Sequence, residues 1–333
     1  MSKARSFLSN AWGQRALIIA IICVIMAIFA PRFFLPENFK SILISVSLYG
    51  VMACGMLVVI LVGGIDLCVG STAAMSACIC MKIVVGGGNT TQAMILGVAC
   101  GLGIAVALGI GHGLLIAYLG LPAFVVTFAT QYAIYGAMLI FTDTFIYTKS
   151  TDDAFYHIAN GRILGLPMTV IWLIIAVAIT AILLGATKFG RRCYLVGGNR
   201  KAAELLGISG KKYSMLSYMF CSFTAGLTGI ILASLNMQAF SSTARGYEGK
   251  VLMAMVVGGI NLMGGEGGVP GAVFGALFVG IINNALILLN ISTDYQDFVQ
   301  GVVIIAFVAL NVFTQRKLAG TAGSKKAGKQ KKQ

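Results

Sequence analysis

Residues 42–63 read ILISVSLYGVMACGMLVVILVG and contain no aspartate, glutamate, lysine or arginine. As a helix rising 1.5 Å per residue, this stretch would be about 33 Å long, which matches the roughly 30 Å hydrocarbon core of a bilayer. A surface helix of a soluble protein carries charged or strongly polar residues on its outer face. This stretch has no charged residue to form such a face. The stretch therefore predicts a membrane-spanning helix.

The rest of the chain has the same apolar character. Hydrophobic residues make up 58% of the 333 residues and charged residues 10%, whereas soluble domains are about 25% charged. We therefore predict an all-α, polytopic transmembrane bundle of about ten helices. The predicted spans are 16–35, 42–63, 69–86, 93–119, 123–142, 167–187, 213–236, 248–262, 268–290 and 297–314.

The distribution of basic residues predicts the orientation of the chain. If both termini are cytoplasmic, the cytoplasmic segments contain 17 of the 24 lysines and arginines: three in 1–15, seven in 188–212 and seven after residue 314. An excess of basic residues is typical of cytoplasmic segments. The net charge of +14 does not indicate nucleic-acid binding, because no basic stripe is interleaved with exposed aromatic residues.

This topology divides the chain into three parts. Residues 1–15 form a cytoplasmic tail, 16–318 the transmembrane domain, and 319–333 a basic tail that we expect to be disordered and able to touch anionic lipid headgroups. Two loops leave the membrane. We predict that 143–166 is extracellular and that 188–212 is cytoplasmic.

The cytoplasmic loop contains a candidate docking helix. Asn199 can cap a short helix, residues 201–206 are good helix formers, and Gly207 can end it. Leu205, Leu206 and Ile208 would give this helix an apolar face in water, which suits burial against a partner protein. The alternative is a solvated connector with one turn of helix.

The sequence lacks the motifs of the common enzyme classes. There is no G-x-x-x-x-G-K-S/T phosphate loop, no G-x-S-x-G and no H-E-x-x-H, and there are two histidines. Catalysis or metal binding would need more polar residues than the spans contain. Cys78 and Cys80 point to different faces of one helix, so we interpret them as small buried residues. We predict no enzyme activity, no metal site and no cofactor bound by this chain.

Asp66 is the main ionisable candidate. It follows Gly63 and Gly64 at the join of two spans, where a helix can break. A carboxylate near hydrocarbon is costly and is usually functional. The alternative is that Asp66 caps the next helix. Both interpretations remain open.

Three further polar residues lie within apolar spans. His112 is more typical of a hydrogen bond between helices than of a proton relay. Asn283 and Asn284 face either a water-lined path or a neighbouring helix, and we favour the helix contact.

A short string occurs twice in the chain. VVILVGGIDLCVGS (58–71) and MAMVVGGINLMGGEGG (253–268) each place Gly-Gly-Ile-Asp/Asn-Leu after an apolar run. Internal repeats of transporters place functional helix breaks at corresponding points. Chance similarity between glycine-rich turns is the alternative.

Four segments, in order along the whole chain, resemble one family. GGIDLCVGS (63–71), LPAFVVTFATQ (121–131), FGRRCYLVGGNRKAAELLGI (189–208) and RGYEGKVLMAMVVGGINLMGGEGGVPGAVFGALFVGIINNALILL (245–289) are similar to the permeases of ribose-, xylose- and galactose-type ABC importers. This chain departs from the family pattern at Cys68, His112, Gly249 and Lys250, which leaves the substrate open more than the fold.

The resemblance implies a permease subunit in the cytoplasmic membrane that passes a small sugar, driven by ATP hydrolysis on a separate subunit. It implies three kinds of partner: an ATP-binding ABC subunit that holds ATP and magnesium, an extracytoplasmic sugar-binding protein, and a second permease copy or sister permease. It also implies an ATPase-coupling helix. The residues of that helix would be Gly197, Gly198, Asn199, Ala202, Ala203, Glu204, Leu205, Leu206, Gly207 and Ile208.

The alternative function is an ion-coupled secondary transporter of a small polar solute. Such a transporter would need paired ionisable residues at mid-membrane. Asp66 and His112 are the candidates, and both are expected near the cytoplasmic ends of their spans. For the path or the helix breaks, the candidates are Asp66, Gly63, Gly64, His112, Asn283 and Asn284.

Overall fold

The computed structural model describes residues 19–20, 23–142, 146–147, 154–292, 295–296, 298–299, 301–302 and 305. These residues are mostly helical. The helices are α1 (Pro36–Leu61), α2 (Val69–Gly86), α3 (Thr91–Gly113), α4 (Ala123–Thr142), α5 (Ala154–Asn160), α6 (Met168–Gly185), α7 (Lys188–Gly198), α8 (Arg200–Leu205), α9 (Gly210–Asn236), α10 (Tyr247–Val257) and α11 (Val269–Leu288).

Shorter elements complete the described chain. Residues 23–29 are helical, a 3-10 turn covers Pro31–Phe34, and a π-helical turn, Leu114–Tyr118, extends α3. Two antiparallel strand pairs occur outside the helices: β1 (Ile146–Tyr147) with β4 (Gln238–Ala239), and β2 (Arg162–Ile163) with β3 (Leu166–Pro167).

Seven helices of the described chain are long and apolar enough to cross a membrane: α1, α2, α3 with its π-helical turn, α4, α6, α9 and α11. They correspond to seven of the ten predicted spans, and two of them, 69–86 and 123–142, have the predicted bounds. Most of the first predicted span, 16–35, is described: residues 19–20 and 23–29 are helical, and the 3-10 turn Pro31–Phe34 follows. Most of the tenth predicted span lies outside the described residues. The prediction of a multi-pass helical membrane protein is confirmed.

The eighth predicted span, 248–262, is wrong as a full crossing. Its helix, α10, has 11 residues and is about 16 Å long, half the thickness of the hydrocarbon core. The helix ends because Gly259 adopts a left-handed conformation, with φ of 72°. The amide of Ile260 then donates to the carbonyl of Met255 and that of Gly259 to Val256, which is a Schellman motif.

Two helices form the centre of the bundle. The second half of α1, residues 51–61, is almost completely buried, and α9 packs against α1, α2 and α3. By contrast, most residues of α3, α4 and α6 are exposed or half-buried. These helices direct large apolar side chains outward, as a lipid environment allows and water does not. The centre of the bundle therefore holds its most tightly packed residues.

The described part of the loop 143–166 covers one end of the bundle. In α5, the carbonyl of Phe155 accepts a hydrogen bond from Ser234 Oγ (2.6 Å), and Asn160 donates to the carbonyl of Ser234 (2.9 Å). The indole of Trp172 in α6 donates to the carbonyl of Ile158 (2.8 Å). These bonds fix α5 over the ends of α9 and α6.

Candidate coupling site and helix breaks

The loop 188–212 folds into two helices, α7 and α8. Thr187 caps α7 by accepting hydrogen bonds from the amides of Phe189 and Gly190. Asn199 caps α8 as predicted, because its side-chain oxygen accepts a hydrogen bond from the Ala202 amide (3.0 Å). Gly207 follows α8 with φ of 72°. α7 was not predicted from the sequence, although Thr187, two residues before Phe189, is a recognisable N-cap signal.

α8 has one side against the bundle and one side in the open. Ala203 is 1% exposed and packs with Val62, Cys193, Val196 and Tyr213. Ile208, just beyond α8, packs against the same cluster, so it does not belong to the outward apolar face that the sequence suggested. That face consists of Leu205 and Leu206, which are 90% and 70% exposed.

Polar contacts contribute little to the attachment of α8 to the bundle. Arg200 and Glu204 form a solvent-exposed ion pair of 3.5 Å within the helix, and such exposed pairs contribute about 0–1 kcal/mol. The attachment of α8 therefore depends on the buried cluster around Ala203.

Three glycine-containing segments meet where α7 ends. They are residues 61–64, 197–198 and 264–265, and we call this meeting point the glycine junction. The amide of Gly265 donates to the carbonyl of Leu61 (3.0 Å). A Cβ atom on Gly197 would lie 1.8 Å from that carbonyl oxygen and 2.7 Å from the Gly265 nitrogen. No other residue fits at 197 without movement of the backbone.

The repeated string of the sequence is in part a repeated structure. α1 ends in a Schellman motif as α10 does, but the left-handed glycine is the first of the pair in one string, Gly63 (φ 82°), and the second in the other, Gly259. Asp66 then accepts a hydrogen bond from the Cys68 amide (2.9 Å), and Asn261 accepts one from the Met263 amide (3.0 Å). Both are turns in which a side chain binds the backbone two residues on. Both breaks adjoin the glycine junction.

Asp66 lies in the connection between α1 and α2 and is 0% exposed. One carboxylate oxygen is bonded to Cys68, and the other has no hydrogen-bond partner among the described residues. Burial raises the pKa of Asp66, while the nearby His112 acts in the opposite direction. Asp66 therefore accepts a hydrogen bond from the amide of Cys68, the residue before α2, and not from an amide within α2.

His112 lies against this connection. It is 1% exposed, and neither ring nitrogen has a hydrogen-bond partner in the described part of the chain. Its ring lies edge-on to Tyr218, with 6.4 Å between the ring centres, and the Tyr218 hydroxyl donates to the carbonyl of Ile65 (3.2 Å). Asp66, His112 and Tyr218 therefore form a buried polar cluster beside the first break.

Asn283 and Asn284 both contact neighbouring elements. Asn284 and Asn38 of α1 exchange two hydrogen bonds of 2.8 and 2.9 Å. Asn283 accepts a hydrogen bond from the ammonium group of Lys250 in α10 (3.2 Å). The structure brings neither asparagine to the glycine junction.

A cavity of about 510 Å³ lies between α8, the first helix break and the end of α3. Gly63 and Gly64 line it on one side, and Arg200 and Glu204 of α8 on another. A shift of α8 would therefore change the shape of this cavity.

Sequence reasoning missed a second polar cluster. The amide of Gln131 in α4 donates to a carboxylate oxygen of Glu248 in α10 (2.9 Å), and Tyr135 lies beside them. The available signal was a carboxylate inside a predicted span, the same signal that singled out Asp66.

Comparison with known proteins identifies the family. Residues 38–308 match the family described as branched-chain amino acid transport system / permease component. The chain belongs to this permease family. It is therefore a multi-pass cell-membrane protein of a transport system, and the family resemblance seen in its sequence is confirmed.

Individual relatives of this permease cover nearly its whole length. The ribose import permease protein of Bacillus subtilis is 37% identical over 87% of this chain and 89% of the relative. The L-arabinose transport system permease protein of Escherichia coli is 33% identical over 92% of both chains. The D-allose transport system permease protein of Escherichia coli is 32% identical over 88% and 89%. No solved structure matches the chain.

Proposed function

We propose that this permease is the membrane subunit of an ABC importer that passes a small sugar across the cytoplasmic membrane. The observation that carries the proposal is its similarity, over 87–92% of its length, to permeases named for ribose, L-arabinose and D-allose. These names favour a sugar over the branched-chain amino acids of the family description. They support ATP-driven import and not the ion-coupled alternative.

In this proposal, α8 is the contact for a separate ATP-binding subunit. Leu205 and Leu206 would enter a groove on that subunit, because two exposed leucines on a six-residue helix gain about 1.5–3 kcal/mol each when fully buried. ATP and magnesium would be bound by the partner. The glycine junction would carry a displacement of α8 to both helix breaks at once.

The remaining partners follow from the proposed orientation. About ten segments cross the membrane, the eighth of them through the short helix α10 together with the non-helical residues on either side of it, and both termini are in the cytoplasm. An extracytoplasmic sugar-binding protein would deliver the substrate to the face covered by the loop 143–166. A second permease copy or a sister permease would complete the translocation path.

The buried groups near the first break have proposed roles as well. The cavity beside Gly63 and Gly64 would be the cytoplasmic end of the path. Asp66 and His112 would hold the shape of this end through their buried cluster. Asn284 would lock α11 to α1, and Asn283 would hold Lys250.

The first test is reconstitution. In proteoliposomes that contain the permease, its ATP-binding subunit and the binding protein, we expect ATP-dependent uptake of at least one of D-ribose, L-arabinose and D-allose. The permease purified alone should not hydrolyse ATP, since it has no phosphate loop. ATP hydrolysis that follows this polypeptide through purification, with no second chain present, would overturn the proposal.

A labelling experiment tests the orientation. Leu164 is 98% exposed in the loop 143–166, and Lys201 is exposed on α8. In a background with Cys23 and Cys100 replaced by alanine, since the other six cysteines are buried, Leu164→Cys should react with an impermeant thiol reagent on intact cells. Lys201→Cys should react only after permeabilisation. The opposite pattern would reverse the topology.

A further inference from the structure

Two buried polar atoms where α2, α4 and α10 meet lack partners and lie close to the same point. Glu248 Oε2 and the Tyr135 hydroxyl are buried, and neither has a hydrogen-bond partner within the described residues. They lie 2.3 and 3.3 Å from the position that a Cβ atom on Gly70 would occupy. Buried polar groups are normally paired, and an unpaired one calls for an explanation. Here two converge beside a residue that has no side chain.

The surroundings hold these two groups in place. Gln131, one turn before Tyr135 on α4, donates to Glu248 Oε1 (2.9 Å). The guanidinium of Arg245 lies over the Tyr135 ring, 5.9 Å from its centre. The carboxylate is thus oriented through Oε1, while Oε2 is buried without a hydrogen-bond partner among the described residues. The cluster therefore has the form of a preorganised site and not of a filled network.

The position of Glu248 in the fold is unusual for a membrane protein. It lies in the first turn of α10, the helix that crosses about half of the hydrocarbon core. The preceding residues, 241–246, are turns rather than helix. Non-helical backbone at membrane depth is tolerated where it is buried in protein or lines a polar cavity. Broken helices of transporters place their first turns at the substrate.

We propose that Glu248, Tyr135 and Gln131 form a hydroxyl-binding site that the sugar contacts on its way through the membrane. A sugar hydroxyl would donate to Glu248 Oε2 and accept from the Tyr135 hydroxyl, which satisfies both open groups with one ligand group. The proposal rests on the proposed function and adds a second selection step to that of the binding protein. The glycine at position 70 allows the Glu248 carboxylate to approach α2 closely, since a Cβ atom there would lie 2.3 Å from Oε2.

The decisive experiment compares a sugar with its mono-deoxy analogue. The reconstituted importer is supplied with whichever of D-ribose, L-arabinose and D-allose it carries, and with analogues that each lack one hydroxyl, at concentrations that saturate the binding protein. Since the binding protein is unchanged in every assay, a changed uptake ratio between sugar and analogue must arise in the permease. A site that hydrogen-bonds a hydroxyl discriminates strongly against an analogue without it.

We expect Glu248→Gln and Tyr135→Phe to change this ratio by at least about fivefold for one analogue. ATP hydrolysis stimulated by the loaded binding protein should stay within about twofold of the wild type. Tyr135→Phe removes a hydroxyl that has no partner in the described structure, so it should not impair folding. Tyr132→Phe removes a hydroxyl from the same helix outside the cluster and should change nothing.

Each other outcome counts against the inference. If both variants lower the uptake of sugar and all analogues equally, the residues have a structural role. If uptake is unchanged, the sugar does not touch them. A wild-type importer that carries none of the three sugars contradicts the proposed function itself, and the inference with it.

Discussion

Replacing Leu205 and Leu206 with aspartate should abolish sugar uptake while leaving the permease in the membrane. The two leucines are 90% and 70% exposed on α8, so the free permease loses no packing. In the groove of an ATP-binding subunit, however, unpaired charges cost several kcal/mol, and each 1.4 kcal/mol is about a factor of ten in affinity. We expect docking to weaken by a factor of about 100 or more, measured by co-purification of the ATP-binding subunit and by uptake.

A matched control is available in the loop 143–166. Leu164 is 98% exposed, and Leu164→Asp adds a carboxylate at a site remote from α8. It should leave co-purification unchanged. The milder pair Leu205→Ala and Leu206→Ala removes apolar area without adding charge and should give an intermediate loss. Normal uptake by the double aspartate variant would mean that α8 is a solvated connector, the alternative left open by the sequence.

Adding one methyl group at Gly197 should have nearly as large an effect, for a different reason. The new Cβ would lie 1.8 Å from the Leu61 carbonyl oxygen and 2.7 Å from the Gly265 nitrogen, between the two partners of the hydrogen bond that joins both breaks. Both obstacles are backbone, so the junction must open. Such overpacking costs about 1–3 kcal/mol or more. We expect Gly197→Ala to lower thermal stability and to reduce uptake by about tenfold.

The neighbouring glycine is the natural comparison. A Cβ on Gly198 would meet nothing within 4 Å, and alanine is the better helix former by about 1 kcal/mol. Gly198→Ala should therefore transport at nearly the wild-type rate with unchanged or higher stability. Equal behaviour of the two variants would show that the close approach at Gly197 has no part in transport.

Where a span is bounded by residues with strong local preferences, the sequence predicted it well. The bounds of α2 and α4 agree with the predicted 69–86 and 123–142. The eighth span was predicted too long because residues 258–262 continue the apolar run of α10. An apolar run shows that a segment prefers lipid to water, but the end of α10 is set by the left-handed backbone conformation of Gly259. The length of an apolar run therefore does not determine where the helix ends.

The candidate sites divide in the same way. Asn199 and Asp66 act on amides two or three residues away, so their local roles could be predicted from spacing. The outward face of α8 was predicted in part, because Leu205 and Leu206 point away from the bundle while Ile208 packs into it. The direction of a side chain at the end of a short helix depends on what the helix packs against, and the local pattern does not contain that information.

By itself, the sequence determined the membrane environment, the helical class, the family and the position of the short helix α8. These follow from residue preferences for lipid, from periodicity and from local hydrogen bonds, all of which act over a few residues. The tertiary structure alone decided which distant groups meet. It brings Gly197 between Leu61 and Gly265, Asn38 to Asn284, and Gln131 to Glu248. Such contacts depend on the packing of whole helices, since a helix can present the same residue to any of several neighbours until its backbone is placed.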